Sequence, residues 1–381
     1  MRIQMIELVE GVNPKKVAAE LARLGQWVSP LKDAQGQIHA FQIDPSSIPL
    51  ELSKVESIYG VKRVLGGQSP HPLVDQLARH HLEIAQGSFG ATNIWPAPQS
   101  LSPSSSQRAP LLIAGPCSFE SKDLVNEVAE IVSQAGGKWL RGGAYKPRTS
   151  PYSFQGEGEK ALSWAREAAD RHHLSLVTEA LSEEEVHLVA QYSNIIQVGT
   201  RNMQNFALLK KVGTAGKSVL LKRGLCATIE EWLLAGEYLM KHGASSVVFC
   251  ERGLRHYDQS TRNLLDLGAA ALLKHHYGLP VVVDPSHAAG RRDLIKPLSI
   301  ASAAMGVDGL MLEVHPDPGS AKSDAAQALS PQELQDLSHA LGIMPNVSIK
   351  KTISQIGEDS NDLLSFEHKD TDHSAEQGPL S

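Results

Sequence analysis

From Leu111 onward the chain repeats one unit, a short apolar run followed by an amphipathic stretch. The apolar runs are Leu111–Cys117, Lys138–Ala144, Leu174–Ala180, Ile195–Thr200, Ser218–Gly224, Ser245–Gly253, Pro280–His287 and Gly309–His315. Between them lie segments with helical spacing, among them Leu124–Gln134, Lys160–His172, Glu183–Gln191 and Thr228–Lys241. Short Val/Ile/Leu-rich runs read as strands buried on both faces, and strand–helix alternation implies a parallel sheet. Eight units in about 230 residues have the number and size of a closed (β/α)8 TIM barrel. A doubly wound open sheet is the alternative, but no Gly-x-Gly-x-x-Gly follows an early strand.

The chain has 381 residues, which at roughly 150 per domain points to two domains. Residues 1–73 read as a small α+β unit of a different kind. Arg2–Val9 alternates like a strand, Asn13-Pro14 opens a helix running to Arg23, and Trp27–Leu31 with Ile38–Ile43 form a hairpin around Asp33–Gly36. Pro49–Tyr59 is a second helical pattern and Val61–Leu65 a last strand, giving the β-α-β-β-α-β order of a ferredoxin-like domain. Residues 74–110 hold the end of a helical pattern at His71–Ile84 and a Pro- and Ser-rich linker from Pro96. The barrel is expected over 111–343. Residues 344–381 are polar with little apolar periodicity and read as a mobile tail.

Composition narrows the function classes. A net charge of −6 argues against the broad basic face of a nucleic-acid binder. Three cysteines cannot all pair, so a secreted disulfide framework is not expected. The N-terminus lacks the basic-then-apolar pattern of a signal peptide, and no apolar stretch reaches bilayer length. The expected location is cytoplasmic.

Reactive residues fall at the C-terminal end of every candidate strand: Cys117, Arg141, Glu179, Arg201, Lys222 with Arg223, Glu251 with Arg252, Asp284 with His287, and Glu313 with His315. In a barrel these ends converge on the face that carries chemistry. Charged residues also end strands because loops are wet, which accounts for any one case but not for the set. Cys117, His287, Glu313 and Asp324 offer one thiolate, one imidazole and two carboxylates, a donor set for a divalent ion such as Mn2+, Fe2+, Co2+ or Zn2+. Their spacing is not that of a local finger, and a lone cysteine is more often a small core residue. Arg141-Gly-Gly-Ala-Tyr-Lys146-Pro-Arg148-Thr149-Ser150 concentrates cations and hydroxyls behind two glycines, suited to a phosphate or carboxylate. Arg201, Lys222, Arg223, Arg252 and Arg255 add positive charge on the same face. Neither a Gly-x-Ser-x-Gly elbow nor a Walker loop is present.

Seven motifs in order then match one family. Ile113-Ala-Gly-Pro-Cys117-Ser, Lys146-Pro-Arg-Thr-Ser150, Gln197-Val-Gly-Thr-Arg201-Asn-Met-Gln-Asn205, Leu221-Lys-Arg-Gly224, Glu251-Arg-Gly253, Asp284-Pro-Ser-His287 and Glu313-Val-His-Pro316 resemble the 3-deoxy-D-arabino-heptulosonate 7-phosphate (DAHP) synthases, type Iβ. The resemblance is dense over about 111–330 and looser over 1–73, where one branch of the family has a ferredoxin-like regulatory domain. It implies a transferase that condenses phosphoenolpyruvate with erythrose 4-phosphate and releases phosphate, opening the shikimate route to aromatic amino acids. It also implies Cys117, His287, Glu313 and Asp324 as metal ligands. Arg141, Lys146, Arg201, Lys222 and Arg252 match phosphoenolpyruvate contacts, and Arg148, Thr149 and Ser150 the sugar-phosphate site. Lys146, Glu179 and His315 are the implied acid–base or water-orienting groups. The Lys-Pro-Arg-Thr-Ser form favours the four-carbon sugar over the arabinose 5-phosphate of the related octulosonate 8-phosphate synthases, which usually show Lys-Ala-Asn-Arg there. Ser323-Asp324-Ala-Ala-Gln327 departs from the usual Ser-Asp-Gly-Pro-Gln, so a last loop of different shape that keeps its ligand is expected. Relatives sense tyrosine or phenylalanine through the N-terminal domain and are dimers or tetramers. A packing module in that position, and an inactive amino-acid-sensing scaffold, are the competing readings.

Overall fold

The computed structural model describes residues 2–77 and 109–344, apart from 34, 35, 45, 46, 48–51, 68, 147–149, 151 and 153. The linker expected from Pro96 is described only at 109 and 110, and the tail only at Met344; the helical pattern at His71–Ile84 is described over 71–77.

The N-terminal sheet is antiparallel with strand order β2-β3-β1-β4. Its elements are β1 (Arg2–Leu8), α1 (Pro14–Arg23), β2 (Val28–Lys32), β3 (Ile38–Ile43), α2 (Leu52–Glu56) and β4 (Val61–Gly67). Asn13 caps α1 by accepting from the Lys15 amide at 3.0 Å, and Pro14 occupies the first turn, where its missing N–H costs nothing. Ile6 and Leu8 of β1, Val17 and Leu21 of α1, Phe41 and Val55 close one small core. Pro30 sits in β2, an edge strand, where a missing donor is tolerated. This is the ferredoxin-like arrangement.

A short helical segment, α3 (72–77), leads out of this unit. Glu237 accepts from the Leu73 and Val74 amides at 2.9 and 3.0 Å, satisfying donors that a helix start leaves open. Val74 belongs to the same apolar cluster as the barrel strands and helices.

The large unit is a closed barrel of eight parallel strands: β5 (Leu111–Gly115), β6 (Trp139–Arg141), β7 (Ser175–Glu179), β8 (Ile195–Val198), β9 (Ser218–Lys222), β10 (Ser246–Glu251), β11 (Val281–Val283) and β12 (Gly309–Glu313). β12 pairs with β5, which closes the ring and removes both edges. The surrounding helices are α4 (Lys122–Gln134), α5 (Glu159–Arg171), α6 (Glu185–Tyr192), α7 (Phe206–Gly213), α8 (Ile229–Lys241), α9 (Leu267–Ala271), α10 (Pro285–Ala289), α11 (Ile295–Ala304) and α12 (Pro331–Ala340). Capping boxes start α8 (Thr228, Glu231) and α12 (Ser330, Glu333), fixing where each strand-to-helix loop ends. Among the described residues no helix is long and apolar enough to cross a membrane.

Strand alternation sorts the core into two layers. Ile113, Trp139, Val177, Ile195, Leu220, Val248, Cys250, Val282 and Met311 pack together inside the barrel. Their neighbours Leu112, Leu140, Leu176, Ile196, Leu221, Phe249, Val283 and Leu312 face the helices. The seventh strand is shorter than the apolar run Pro280–His287 predicts. It stops at Val283, because Asp284 accepts from the His287 amide at 3.0 Å and, with Pro285 at the first helical position, starts α10.

Candidate metal and anion site at the barrel mouth

Continuing the inward parity past each strand brings one set of side chains to the mouth: Cys117, Arg141, Glu179, Gln197, Lys222, Arg252, Asp284, Glu313 and His315. The same parity turns Arg223 and Glu251 outward, against the expectation that they join the mouth. They pair with each other at 3.0 Å, and Arg223 also meets Asp266 at 3.0 Å and lies over the Trp232 ring. These two residues brace the β9 and β10 ends from behind.

Cys117, Glu313 and Asp324 each present a ligand atom within 4.8 Å of the other two. Ligands about 2.0–2.3 Å from a shared ion lie at separations of this order, and a thiol with two carboxylates suits a divalent transition ion. His287 stands beside this group. Its Nε2 is 3.2 Å from Glu313 Oε1, and its Nδ1 is 2.7 Å from Asp284 Oδ2. A carboxylate behind one ring nitrogen is the arrangement that aims the other nitrogen at a ligand.

The surrounding hydrogen bonds hold this geometry. Cys117 Sγ donates to Asp324 Oδ2 at 3.2 Å and lies 3.0 Å from Ser323 Oγ. Glu313 is fully buried and accepts from Arg141 at 3.0 Å and from Gln327 at 2.5 Å. Lys222 donates to Asp284 at 2.7 Å, and Lys146 donates to the Cys117 carbonyl at 2.8 Å. Burial, reinforced by Glu313, pushes the Cys117 thiol up to about 11. Burial alone would also raise the carboxyls, but His287 and Arg141 hold Glu313, and His287 and Lys222 hold Asp284, well below the usual carboxylate range.

Several buried donors at this mouth have no hydrogen-bond partner among the described residues: Arg141 Nε, Arg252 Nη1 and His315 Nε2. Buried polar groups are ordinarily paired, and three N–H donors match the oxygens of an anion. His315 Nδ1 accepts from the Asp317 amide at 3.2 Å, so its Nε2 carries the proton. Burial lowers the Arg252 pKa, since the charged form is the one desolvated.

The remaining predicted residues are placed less centrally. Glu179 is half-buried and accepts from Gln197 at 3.0 Å. Arg201 is exposed on a one-turn helix, Thr200–Asn202, beyond the end of β8. Ser150 is exposed and accepts from the Tyr152 amide at 3.3 Å. Arg148 and Thr149 lie outside the described residues. Gln197, Ser323 and Gln327 complete the site without having been assigned roles. The inward parity of β8 could have picked out Gln197, whereas nothing local marks Ser323 or Gln327 as partners of Cys117 and Glu313. In the departing loop, Asp324 adopts φ 56°, a left-handed conformation open mainly to Gly, Asn and Asp.

The sequence model of the DAHP synthetase I family matches residues 104–346. The chain belongs to this family. The phospho-2-dehydro-3-deoxyheptonate aldolase of Thermotoga maritima is 51% identical over 242 residues, spanning 62% of this chain and 72% of that protein. The crystal structure of a DAHP synthase from the same organism covers 94% of this chain and 99% of its own, at 37% identity and a TM-score of 0.65. That coverage exceeds what the DAHP synthetase segment alone reaches, so the likeness extends to the N-terminal sheet. A 2-dehydro-3-deoxyphosphooctonate aldolase of Desulfotalea psychrophila is more distant, at 29% identity over 246 residues, 60% of this chain and 86% of that protein.

Proposed function

We propose that this barrel mouth condenses phosphoenolpyruvate with D-erythrose 4-phosphate and water, giving DAHP and inorganic phosphate, the first step of the shikimate route. The observation that carries the reading is the convergence of Cys117, Glu313 and Asp324 beside the unpaired buried donors of Arg141 and Arg252. The higher identity to the heptulosonate enzyme than to the octulosonate enzyme supports the four-carbon sugar.

A divalent ion, Mn2+, Fe2+, Co2+ or Zn2+, held by Cys117, His287, Glu313 and Asp324, supplies Lewis-acid polarisation of the sugar aldehyde when bound. Arg141, Lys146, Lys222 and Arg252, with Arg201 at the rim, bind phosphoenolpyruvate and orient its C3 toward the aldehyde carbon. Arg148, Thr149 and Ser150 hold the sugar phosphate. Bond formation at C3 leaves an electron-poor C2, water adds there, and the C–O bond to phosphate breaks. Lys146, whose ammonium donates to the Cys117 carbonyl at 2.8 Å, is the donor to the new alkoxide in this reading. His315 acts through its Nε2–H as a donor to phosphate or to the departing group, and Glu179 orients and deprotonates the water.

Glu179 leans across Gly199: a Cβ at 199 would lie 1.9 Å from Glu179 Oε1. Gly199 has φ −75°, so it is required by this approach and not by backbone freedom. Gly199→Ala is therefore expected to displace the carboxylate. Turnover falls by about 10^2-fold, the scale of a lost acid–base group, and overpacking costs about 1–3 kcal/mol. Steady-state kinetics with thermal melting check this; unchanged turnover removes Glu179 from the chemistry.

The deciding assay is phosphate release from phosphoenolpyruvate with added Mn2+, comparing erythrose 4-phosphate with arabinose 5-phosphate, each with and without EDTA. Release with the four-carbon sugar, lost on chelation, is the expected result. Release only with arabinose 5-phosphate moves the chain to octulosonate chemistry, and no release with either favours an amino-acid-sensing scaffold. The N-terminal domain is proposed to regulate a cytoplasmic dimer or tetramer. Tyrosine or phenylalanine added to the same assay inhibits the full chain and spares one lacking residues 1–73.

A further inference from the structure

Three of the four proposed metal ligands are held by two consecutive residues that supply no ligand themselves. Arg262 and Asn263 lie between β10 and α9, and their backbone amides donate to the Ala289 and Ala288 carbonyls at 3.0 and 2.8 Å. Asn263 Nδ2 donates to the His287 carbonyl at 2.9 Å. The Arg262 guanidinium divides between two acceptors. One nitrogen donates to Asp324 Oδ1 at 3.0 Å, leaving Oδ2 for Cys117, and the other donates to Gln327 Oε1 at 2.8 Å. Gln327 is buried, and its amide nitrogen donates to Glu313 Oε2. One side chain thus reaches two carboxylates, Asp324 directly and Glu313 through an amide whose own orientation it sets.

The loop needs such a hold. Asp324 carries a left-handed backbone without being glycine, and only His173 shares that condition among the described residues. The Arg262 backbone is itself seated close to α10: a Cβ on Gly290, at φ 67°, would lie 2.6 Å from the Arg262 Cβ. A planar guanidinium donates along two fixed directions at once, which a lysine ammonium on a flexible stem does not reproduce. Groups behind metal ligands tune affinity by fixing which oxygen faces the ion.

We infer that Arg262 is a positioning residue for metal binding, acting on Asp324 directly and on Glu313 through Gln327. The inference rests on the proposed metal site, and its test separates the two. Co2+ is titrated into the metal-free full chain, and the thiolate-to-cobalt charge-transfer absorption reports ligation by Cys117. Arg262→Ala is expected to raise the Co2+ dissociation constant by about 10–100-fold, the usual effect of losing such a partner. Arg262→Lys recovers only part of that loss. Gln327→Leu weakens binding as well, and the double variant is weakened by less than the product of the two single effects, because the residues act in one chain. At saturating Co2+ the Arg262→Ala turnover returns toward that of the unsubstituted chain, whereas substrate KM values move little. An unchanged dissociation constant in folded Arg262→Ala overturns the inference and leaves the metal site standing. Should Arg262→Ala fail to fold, Arg262→Lys decides by the same criterion. Absence of the charge-transfer band in the unsubstituted chain overturns the metal site and the inference together.

Discussion

Cys117→Ala is expected to abolish metal-dependent phosphate release while the barrel stays folded. Lewis-acid stabilisation by a bound ion is worth several kcal/mol, so losing about 4 kcal/mol corresponds to roughly a thousandfold lower turnover. The structural cost is small by comparison. The thiol fills little volume, and deleting a buried group of this size costs about 1 kcal/mol plus what the cavity adds. Asp324 loses its hydrogen bond from Sγ but keeps its pair with Arg262 at 3.0 Å, so no buried carboxylate is left without a partner. Turnover, bound metal per chain and the melting transition are measured on the same preparation. Activity near that of the unsubstituted chain, after chelator stripping and reloading, would remove Cys117 from the ligand set. Loss of the melting transition would show the residue to be structural.

Arg252→Met is expected to move stability and activity in opposite directions. Arg252 is buried, and its Nη1 has no hydrogen-bond partner among the described residues. An unsatisfied buried polar group costs about 1–3 kcal/mol, a penalty that methionine, of similar length, does not carry. The ligand-free protein should therefore melt about 2–4 °C higher, the size of roughly 1 kcal/mol in a domain of 150–250 residues. The same change removes a cation proposed to hold phosphoenolpyruvate. Deleting a charge-assisted hydrogen bond to substrate in a buried site costs about 2–4 kcal/mol, lowering kcat/KM for phosphoenolpyruvate by about 10^2-fold or more. Retained kcat/KM would exclude Arg252 from the substrate site. A lower melting temperature would mean that the attraction of Asp284 for the buried guanidinium outweighs the unpaired donor. Sites that bind charged substrates commonly carry such strain, and activity then trades against stability.

The outward pair Arg223–Glu251 shows where reading by position alone goes astray. Lys222-Arg223 and Glu251-Arg252 both sit at strand ends, and proximity in the chain does not say which member faces the lumen. Inward parity does. It can be counted from Leu220 to Lys222 and from Val248 to Arg252, so the information was present in the alternation. His287 is a case of another kind. Its offset from the thiol–carboxylate group follows from the helical turn that starts at Asp284 and from the close approach of Asp284 to its ring.

Local spacing determined the architecture of this protein. Eight apolar runs alternating with amphipathic stretches imply a parallel sheet of the number and size of a barrel, the β-α-β-β-α-β order implies a separate antiparallel sheet, and seven short motifs point to the family. Each of these signals depends on residues a few positions apart, where side-chain period and capping chemistry act directly. Only the tertiary structure decided which atoms meet. Cys117 touches Ser323 and Asp324 across more than two hundred residues, Arg262 reaches Gln327 across 65, and Glu313 gathers Arg141 from the end of β6, His287 from α10 and Gln327 from the last loop. These meetings exist because β12 closes onto β5 and brings every strand end to one mouth, and no local pattern encodes a distance set by ring closure.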